Sequence, residues 1–192
     1  DKVIVNCIKE DIEPVLVINK EDLSDVDVSA YEKFLTVFKV SALTGAGIDG
    51  IKEYVKGKTV CLAGQSAVGK SSIINALLGV SLLKTDNISE KSGRGKHTTR
   101  VTELIDAGDY YIMDTCGFSL LDPIDIHPHE LRLYYEDFLP YAVNCRYNSC
   151  THTVEPECAV RNEVRKNIDE GRYIRYKALF DELDEIRRKK YE

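Results

Sequence analysis

The sequence lacks the features that mark several functional classes. No stretch approaches the ~18 consecutive apolar residues needed to span a membrane, and no signal-peptide pattern opens the chain. Internal repeats and low-complexity segments are absent as well. Positive charge is not in excess: the formal net charge of −6 argues against sequence-independent coating of nucleic acids, although a local basic patch is compatible with it. With 43% apolar and 30% charged residues among 192, we expect a soluble globular protein of one or two domains.

What the sequence does contain is a phosphate-binding loop, Gly-x4-Gly-Lys-Ser, between Gly64 and Ser71. Its glycines allow successive backbone N–H groups to point at phosphate oxygens, at the N-terminus of a helix expected to begin near Lys70. Lys70 would reach the β- and γ-phosphates, and the Ser71 hydroxyl would bind Mg²⁺. The residues predicted to line the phosphates are Gly64, Gln65, Ser66, Ala67, Val68, Gly69, Lys70, Ser71 and Ser72.

Two further motifs indicate that the base is guanine. An apolar strand ends in Asn-Lys-x-Asp, with Asn19, Lys20 and Asp22 at the fixed positions. The Asp22 carboxylate can accept both guanine donors, N1–H and N2–H₂, in a charge-assisted pair. Asn19 would contact the N7 side of the base and tie the loop down, and the stem of Lys20 would lie along the face of the base. The segment Ser41-Ala42-Leu43 would offer a backbone N–H to guanine O6.

The order of these motifs is unusual. In an ordinary small GTPase the phosphate loop comes first, whereas here Asp22 and Ser41 precede Gly64. The same parts in rotated order predict a circularly permuted, Ras-like P-loop GTPase domain of the α/β class. The predicted strands are residues 3–6, 15–19, 35–41, 59–63, 101–106 and 110–114, the last two as an antiparallel hairpin. The predicted helices are residues 48–55, 70–78 with a cap at Gly79, 130–138 and 172–190.

Two segments have the pattern of nucleotide-sensing switches. Residues 114–117 match Asp-x-x-Gly, in which Asp114 would contact Mg²⁺ through water and the Gly117 N–H would contact the γ-phosphate. In the basic, glycine-containing segment 89–100, Thr98 or Thr99 would close on Mg²⁺ when GTP is bound. A solvated basic loop is the alternative interpretation for the residues before His97.

The residue after Asp-x-x-Gly is Phe118, where many GTPases place a water-orienting glutamine. A phenyl ring cannot make the needed hydrogen bond, so unassisted hydrolysis should be slow. His97 is the candidate general base or water-orienting group, and a histidine that only binds the loop or an RNA phosphate is an equal alternative. Together with Lys70, which reaches the β- and γ-phosphates, and the two threonines of the switch segment, the predicted catalytic residues are His97, Lys70, Thr98 and Thr99.

A second chemical site is predicted downstream, where the chain reads Cys-x4-Cys-x-His-x5-Cys. Six cysteines beside nucleotide motifs indicate a reducing, intracellular setting, in which metal binding is favoured over disulfides. Three thiolates and one imidazole are the ligands of a closed, four-coordinate structural Zn²⁺ site. The predicted ligands are Cys145, Cys150, His152 and Cys158. By contrast, His127 and His129 are expected in a turn with an exposed histidine before a helix.

The motif order, the run Arg94-Gly95-Lys96-His97-Thr98-Thr99, the Asp-Thr-x-Gly-Phe at 114–118 and the cysteine–histidine cluster together resemble the RsgA (YjeQ) family of circularly permuted GTPases. The resemblance implies a GTPase domain over residues 1–126 and a small, mainly helical zinc-binding domain over residues 127–192. It also implies an N-terminal OB-fold in the full-length protein, which this chain does not contain. The implied cofactors are Mg²⁺ with GTP or GDP and one structural Zn²⁺.

The resemblance further implies partners and a role. Family members bind the small ribosomal subunit and its rRNA, and they act late in its maturation with GTP hydrolysis stimulated by the subunit. We expect a cytoplasmic monomer with no membrane partner. Two alternatives stay open. Phe118 is compatible with a nucleotide-gated assembly factor in which GTP binding, not hydrolysis, is the signal. An ATP-using kinase or ATPase sharing only the phosphate loop is disfavoured by Asn19, Lys20 and Asp22.

Overall fold

The computed structural model describes residues 1–79, 103–114 and 125–191, which fall into two compact units. The helical unit consists of Asp1–Leu16, Asp27–Thr36 and Leu121–Glu192, and the mixed unit consists of Val17–Val26 and Val37–Leu120. The predicted domain boundary between residues 126 and 127 is inferred from the order of motifs along the chain. The two units are instead defined by which residues pack together in space. That boundary stays a prediction.

Two short sheets carry the strands. β1 (Val15–Ile18) pairs with β2 (Thr36–Lys39). The second sheet has the order β3-β5-β4, in which β3 (Thr59–Cys61) runs parallel to β5 (Tyr111–Asp114). The strand β4 (Glu103–Asp106) runs antiparallel to β5, which confirms the predicted hairpin. Because β3 and β5 are parallel, with Cys61 opposite Met113, their C-terminal residues lie at the same end of the sheet.

The mixed unit contains the two helices that pack beside these strands, α3 (Ile48–Val55) and α4 (Lys70–Leu78). Both match the predicted bounds. The α4 helix begins after Gly69 and ends at Gly79, and both glycines have left-handed backbone that residues with a Cβ disfavour. The buried core of the unit is Val40, Ile48, Ile51, Val55, Ile73, Ile74, Leu77, Tyr110 and Ile112.

The helical unit is built from short helices around one long one. Its elements are α1 (Lys2–Lys9), α2 (Ser29–Glu32), a 3-10 helix (Pro128–Tyr134), α5 (Leu139–Ala142), α6 (Ala159–Glu163) and α7 (Glu170–Tyr191). The α7 helix contributes Tyr176, Leu179 and Leu183 to the core, at the spacing of one helical face. The other core members are Val5, Leu131, Tyr135, Phe138, Cys150, Cys158, Val160 and Ile168.

The predicted strand at residues 3–6 is wrong, since this segment is the helix α1. Its β-branched run favours a strand by local propensity, but Val5 is fully buried in the core of the helical unit. Packing has therefore overridden propensity. Only residues 7–14 separate the two strands predicted at 3–6 and 15–19, fewer than the ~10–12 residues that a parallel crossover needs. With α1 in place of the first strand, no crossover is required there.

The segment after residue 125 differs from prediction in its type of helix. The predicted α-helix over residues 130–138 is the 3-10 helix Pro128–Tyr134. His127 caps it: its Nδ1 accepts the His129 N–H at 3.2 Å, while its own N–H donates to Glu130 Oε2 at 3.2 Å. Both histidines are exposed, as the predicted turn requires. Among the described residues, no helix is both long and apolar enough to cross a membrane.

Candidate nucleotide and metal sites

Asn19 joins the predicted base-recognition motifs to the predicted phosphate loop. It follows β1, and its side-chain Oδ1 accepts the Ala42 N–H at 3.0 Å, in the loop after β2. Its Nδ2 donates to the Val68 carbonyl at 3.0 Å, inside the Gly-x4-Gly-Lys-Ser loop. One amide side chain therefore brings three separate segments of the mixed unit together.

Lys20 adds a second connection of the same kind. Its Nζ donates to the Ala67 carbonyl at 3.0 Å. Both Lys20 (φ +68°) and Ala67 (φ +67°) have left-handed backbone, which is uncommon for residues with a Cβ and is often found at ligand-binding loops. The Asp22 side chain lies two residues further on and is exposed, so its carboxylate is accessible to a ligand.

The Ser41-Ala42-Leu43 segment forms a tight turn. Ser41 is buried, its Oγ accepts the Thr44 N–H at 3.2 Å, and its carbonyl accepts the Gly45 N–H at 2.8 Å. The Ser41 N–H donates to Ala46 and the Ala42 N–H donates to Asn19. Within the described residues the Leu43 N–H has no such partner, and its side chain is 86% exposed. The sequence predicts that one backbone N–H of this segment binds guanine O6, and among the described contacts that of Leu43 is the one available.

The phosphate loop follows β3 and turns into α4 at Lys70, as predicted. Lys70 Nζ donates to the Gly64 carbonyl at 2.7 Å and to the Gln65 carbonyl at 2.8 Å, so its ammonium group lies across the loop. Ser71 and Ser72 follow Lys70 in the first turn of α4. The strand β5 ends at the backbone of Asp114 and runs parallel to β3. The start of Asp-x-x-Gly therefore lies at the same end of the sheet as the start of the phosphate loop.

The remaining predicted nucleotide-site residues lie outside the described part of the chain. These are His97, Thr98, Thr99, Gly117 and, next to it, Phe118. For Asp114 the structure describes the backbone alone. The roles predicted for these side chains therefore stay predictions.

The four predicted metal ligands meet in the helical unit. The ligand atoms of Cys145, Cys150, His152 and Cys158 all lie within 4.8 Å of one another, and the last three side chains are buried. His152 Nδ1 is 3.6 Å from Cys145 Sγ and 3.4 Å from Cys158 Sγ, and the two sulfurs are 3.9 Å apart. Ligands of a tetrahedral Zn²⁺, with Zn–S of ~2.3 Å and Zn–N of ~2.0–2.1 Å, stand about 3.5–3.8 Å from one another. The cluster can therefore hold one such ion.

The electrostatics of the cluster also fit a cation. Burial lowers the pKa of His152 to about 4, which keeps its imidazole neutral and able to donate a lone pair. Burial raises the pKa of Cys150 to about 12 and raises that of Cys158 as well. Thiolates at these positions therefore need a nearby positive charge, which a divalent metal supplies.

Three residues that support this cluster are not apparent from the motif. The Tyr173 hydroxyl donates to the His152 carbonyl at 2.8 Å, and the Tyr176 hydroxyl donates to the Thr151 carbonyl. Glu155 accepts hydrogen bonds from the backbone on both sides of His152. The one sign of this support in the sequence is Glu155, a carboxylate that lies between the predicted ligands His152 and Cys158. The two tyrosines lie on α7, and no local sequence pattern links them to the metal loop.

Comparison with known proteins identifies a family and its relatives. Residues 1–123 match the family model described as RsgA GTPase. A protein of Caldanaerobacter subterraneus named small ribosomal subunit biogenesis GTPase RsgA is 43% identical over 200 aligned positions, covering all of this chain and 67% of the relative. A protein of the same name from Thermotoga maritima is 41% identical, covering 95% of this chain and 65% of the relative. The chain thus spans about two thirds of these relatives.

Solved structures agree with these relatives. The crystal structure of YjeQ from Thermotoga maritima has a TM-score of 0.76 and 37% identity, covering 95% of this chain and 64% of that one. YloQ, described as a circularly permuted GTPase, has a TM-score of 0.75 and 26% identity, covering 96% of this chain and 61% of that one. The fold class predicted from the order of the motifs is therefore confirmed.

Proposed function

This chain belongs to the RsgA GTPase family, and from that premise we propose that it binds guanine nucleotide with Mg²⁺ and hydrolyses GTP to GDP and phosphate. The observation that carries the proposal is the pair of hydrogen bonds made by Asn19, to Ala42 and to Val68. They make the guanine-recognition motifs and the phosphate loop one connected structure. An ATP-specific protein that shared only the phosphate loop would not need guanine-recognition segments bonded to that loop.

In this proposal separate groups of residues bind the base, the phosphates and Mg²⁺. Asp22 accepts the guanine N1–H and N2–H₂ donors, and the Leu43 N–H donates to guanine O6. Adenine carries an amino group in place of O6, and that group would be repelled by the Leu43 N–H. Backbone N–H groups of the phosphate loop bind the phosphates at the N-terminus of α4. Lys70 exchanges its carbonyl partners in the loop for the β- and γ-phosphates, and Ser71 binds Mg²⁺ together with Asp114 and Thr98 or Thr99.

His97 is proposed to order the attacking water, since Phe118 cannot do so. Gly117 would report the presence of the γ-phosphate through its backbone N–H. Both assignments come from the sequence, and His97→Ala tests the first of them.

The names of the relatives support a role on the ribosome. We propose that the chain acts in late maturation of the small ribosomal subunit, in the cytoplasm, as a monomer that contacts the subunit and its rRNA. Turnover is proposed to rise when the subunit is bound. Because the chain covers 67% and 65% of these two relatives, activity measured on it tests what this part of such a protein can do.

The cysteine–histidine cluster is proposed to hold one structural Zn²⁺. Four protein ligands would fill all four positions around a tetrahedral ion and leave none open for substrate or water, as is usual for a structural site. When bound, the ion supplies the positive charge that keeps the buried thiolates of Cys150 and Cys158 ionised. Its role is to fix the fold of the helical unit.

The test is GTP hydrolysis by the 192-residue chain, with and without purified small ribosomal subunits, for the wild type and for His97→Ala. We expect stimulation by the subunit that is lost in the variant. The exposed His129, replaced by alanine, is the matched control and should keep the stimulation. GTP bound tightly but not hydrolysed faster with subunits would contradict the enzymatic proposal and favour a factor gated by GTP binding.

A further inference from the structure

The turn that carries His152 is held by a carboxylate that is not itself one of the four predicted ligands. Glu155 Oε1 accepts the backbone N–H and the hydroxyl of Thr151, each at 2.6 Å. Its Oε2 accepts the N–H groups of Thr153 at 3.1 Å and Val154 at 3.2 Å. Four donors on both sides of His152 thus converge on one side chain.

The carbonyl groups of the same turn are held from α7. Tyr173 donates to the His152 carbonyl at 2.8 Å, and Tyr176 donates to the Thr151 carbonyl. The backbone around His152 therefore has its N–H groups bound by Glu155 and its carbonyl groups bound by the two tyrosines. Such a turn has few ways to change its shape while all of these bonds persist.

His152 depends on that support for two reasons. Its backbone is left-handed, with φ +61°, a conformation that is unfavourable for a residue with a Cβ and persists only where the surroundings impose it. In addition, its Nε2 is buried and has no hydrogen-bond partner within the described residues. A ligating histidine is usually oriented by a hydrogen bond at its second nitrogen. Here the ring is oriented by the backbone that carries it and by an edge-to-face contact with the Phe138 ring, with centroids 6.3 Å apart.

Glu155 is suited to this task because it stays ionised. Burial alone would raise its pKa, but hydrogen bonds from Thr151, from its own backbone N–H and from Thr153 outweigh burial and lower it to about 2. Its hydrogen bonds are consequently charge-assisted, which makes them stronger than bonds to a neutral acceptor.

We propose that Glu155 is a positioning residue that sets the metal affinity of the Cys145, Cys150, His152 and Cys158 cluster by holding the Thr151–Val154 turn in its ligand-ready conformation. The inference rests on the proposed assignment of Zn²⁺ to this cluster, and it adds a residue that contacts no metal. Glu155→Gln keeps one acceptor oxygen but turns an NH₂ group toward N–H donors, so the turn loses its support while the four ligands remain.

The experiment measures Zn²⁺ affinity of the 192-residue chain by competition with a chelator, and Co²⁺ absorption at saturation. Loss of an outer partner of a metal ligand typically costs 10–100-fold in metal affinity, so we expect a decrease of about that size for Glu155→Gln. The matched control is Glu157→Gln, two residues away, whose exposed carboxylate pairs with Arg146. That variant should bind within roughly 2-fold of the wild type, since surface ion pairs contribute little.

The Co²⁺ spectrum separates positioning from misfolding. If Glu155 only positions the turn, Glu155→Gln saturated with Co²⁺ keeps the tetrahedral, thiolate-rich spectrum of the wild type and differs from it only in its lower metal affinity. A changed spectrum at saturation would overturn the inference, because the ligand set itself would then depend on Glu155. Should Glu155→Gln fail to fold, Thr151→Val removes one of the four bonds and should weaken Zn²⁺ binding about 5-fold.

The remaining outcomes are also decisive. Equal affinities for the wild type, Glu155→Gln and Thr151→Val would overturn the inference and leave the proposed zinc site intact. Failure of the wild type to bind one Zn²⁺ per chain would overturn the zinc proposal and this inference together. The two failures are therefore distinguishable from the wild-type titration alone.

Discussion

A methyl group on Gly69 would lie 2.3 Å from the side-chain nitrogen of Asn19. This distance is well inside van der Waals contact, and Gly69 also has left-handed backbone, with φ +94°. The last glycine of the phosphate loop thus serves the loop in two ways. It forms the turn into α4, and it leaves the space through which Asn19 reaches the Val68 carbonyl.

The first prediction follows from this contact. Gly69→Ala should displace Asn19, break its bond to Val68 and strain the loop, at a combined cost of about 2–4 kcal/mol. We expect GTP and GDP to bind roughly 30-fold more weakly or worse, measured by titration with a fluorescent nucleotide. Gly57→Ala is the control, because Gly57 also has φ +71° but a Cβ there would meet nothing within 4 Å. Similar nucleotide affinities for the two variants would contradict the proposed coupling of the loops.

The second prediction concerns the choice of base. Xanthine carries an acceptor oxygen where guanine carries N2–H₂, so an amide at position 22 can accept from N1–H and donate to that oxygen. Asp22→Asn should weaken GTP binding about 10–100-fold, since the bond it removes is charge-assisted, and should favour xanthosine triphosphate instead. Competition between the two nucleotides checks this. The control is Asp25→Asn, which alters a carboxylate of the same loop as Asp22. Asp25 pairs with Lys39 of β2, so its loss should leave the preference for GTP unchanged.

Much of the fold was accessible from local sequence, and particular residues show why the rest was not. The α3 and α4 helices are predictable to the residue because apolar spacing and the Gly79 cap agree with tertiary packing. The helix α1 is not, because burial of Val5 decides its conformation and burial depends on segments far away in the chain.

The sites show the same division. The spacing of Cys145, Cys150, His152 and Cys158 predicts a metal cluster, and the structure brings their ligand atoms together. The supporting bonds from Tyr173 to His152 and from Asn19 to Val68 join positions distant in sequence. The Asn-Lys-x-Asp motif predicts that Asn19 ties down a loop but does not identify Val68 as its partner, and no motif or periodicity predicts the contact between Tyr173 and His152.

The third prediction concerns removal of the metal. Cys150 and Cys158 belong to the core of the helical unit, and Tyr173 and Tyr176 tie the metal loop to α7. Chelation should therefore speed amide hydrogen exchange in α7 as well as in the loop. At free Zn²⁺ 100-fold above its dissociation constant, bound metal stabilises the fold by ~2.7 kcal/mol, which chelation would remove.

Matched cysteine variants make this test specific. Cys145→Ser should lose stoichiometric Zn²⁺ and show the fast exchange without chelator. Cys61→Ser, at an exposed cysteine outside the cluster, should retain both the metal and the slow exchange. Exchange in α7 that does not respond to chelator would show that the helix is stable independently of the metal loop.

The fourth prediction concerns a buried charge in the helical unit. Arg172 has 1% of its side chain exposed; its Nε donates to Asp137 at 2.9 Å, and its guanidinium lies 3.9 Å from the ring centre of Phe34. Arg172→Met keeps the bulk but removes the arginine partner of two buried carboxylates, Asp137 (10% exposed) and Asp1 (5% exposed), which should cost about 3–5 kcal/mol. Urea unfolding followed by circular dichroism measures this cost.

The control variant Arg188→Met breaks a surface pair with Asp184 in which the arginine side chain is 76% exposed, and should cost at most ~1 kcal/mol. Adding Asp137→Asn to Arg172→Met should restore part of the stability, because one of the two buried carboxylates is then neutral. Equal costs for the two arginine variants would mean that the ion pair contributes no more than a surface one.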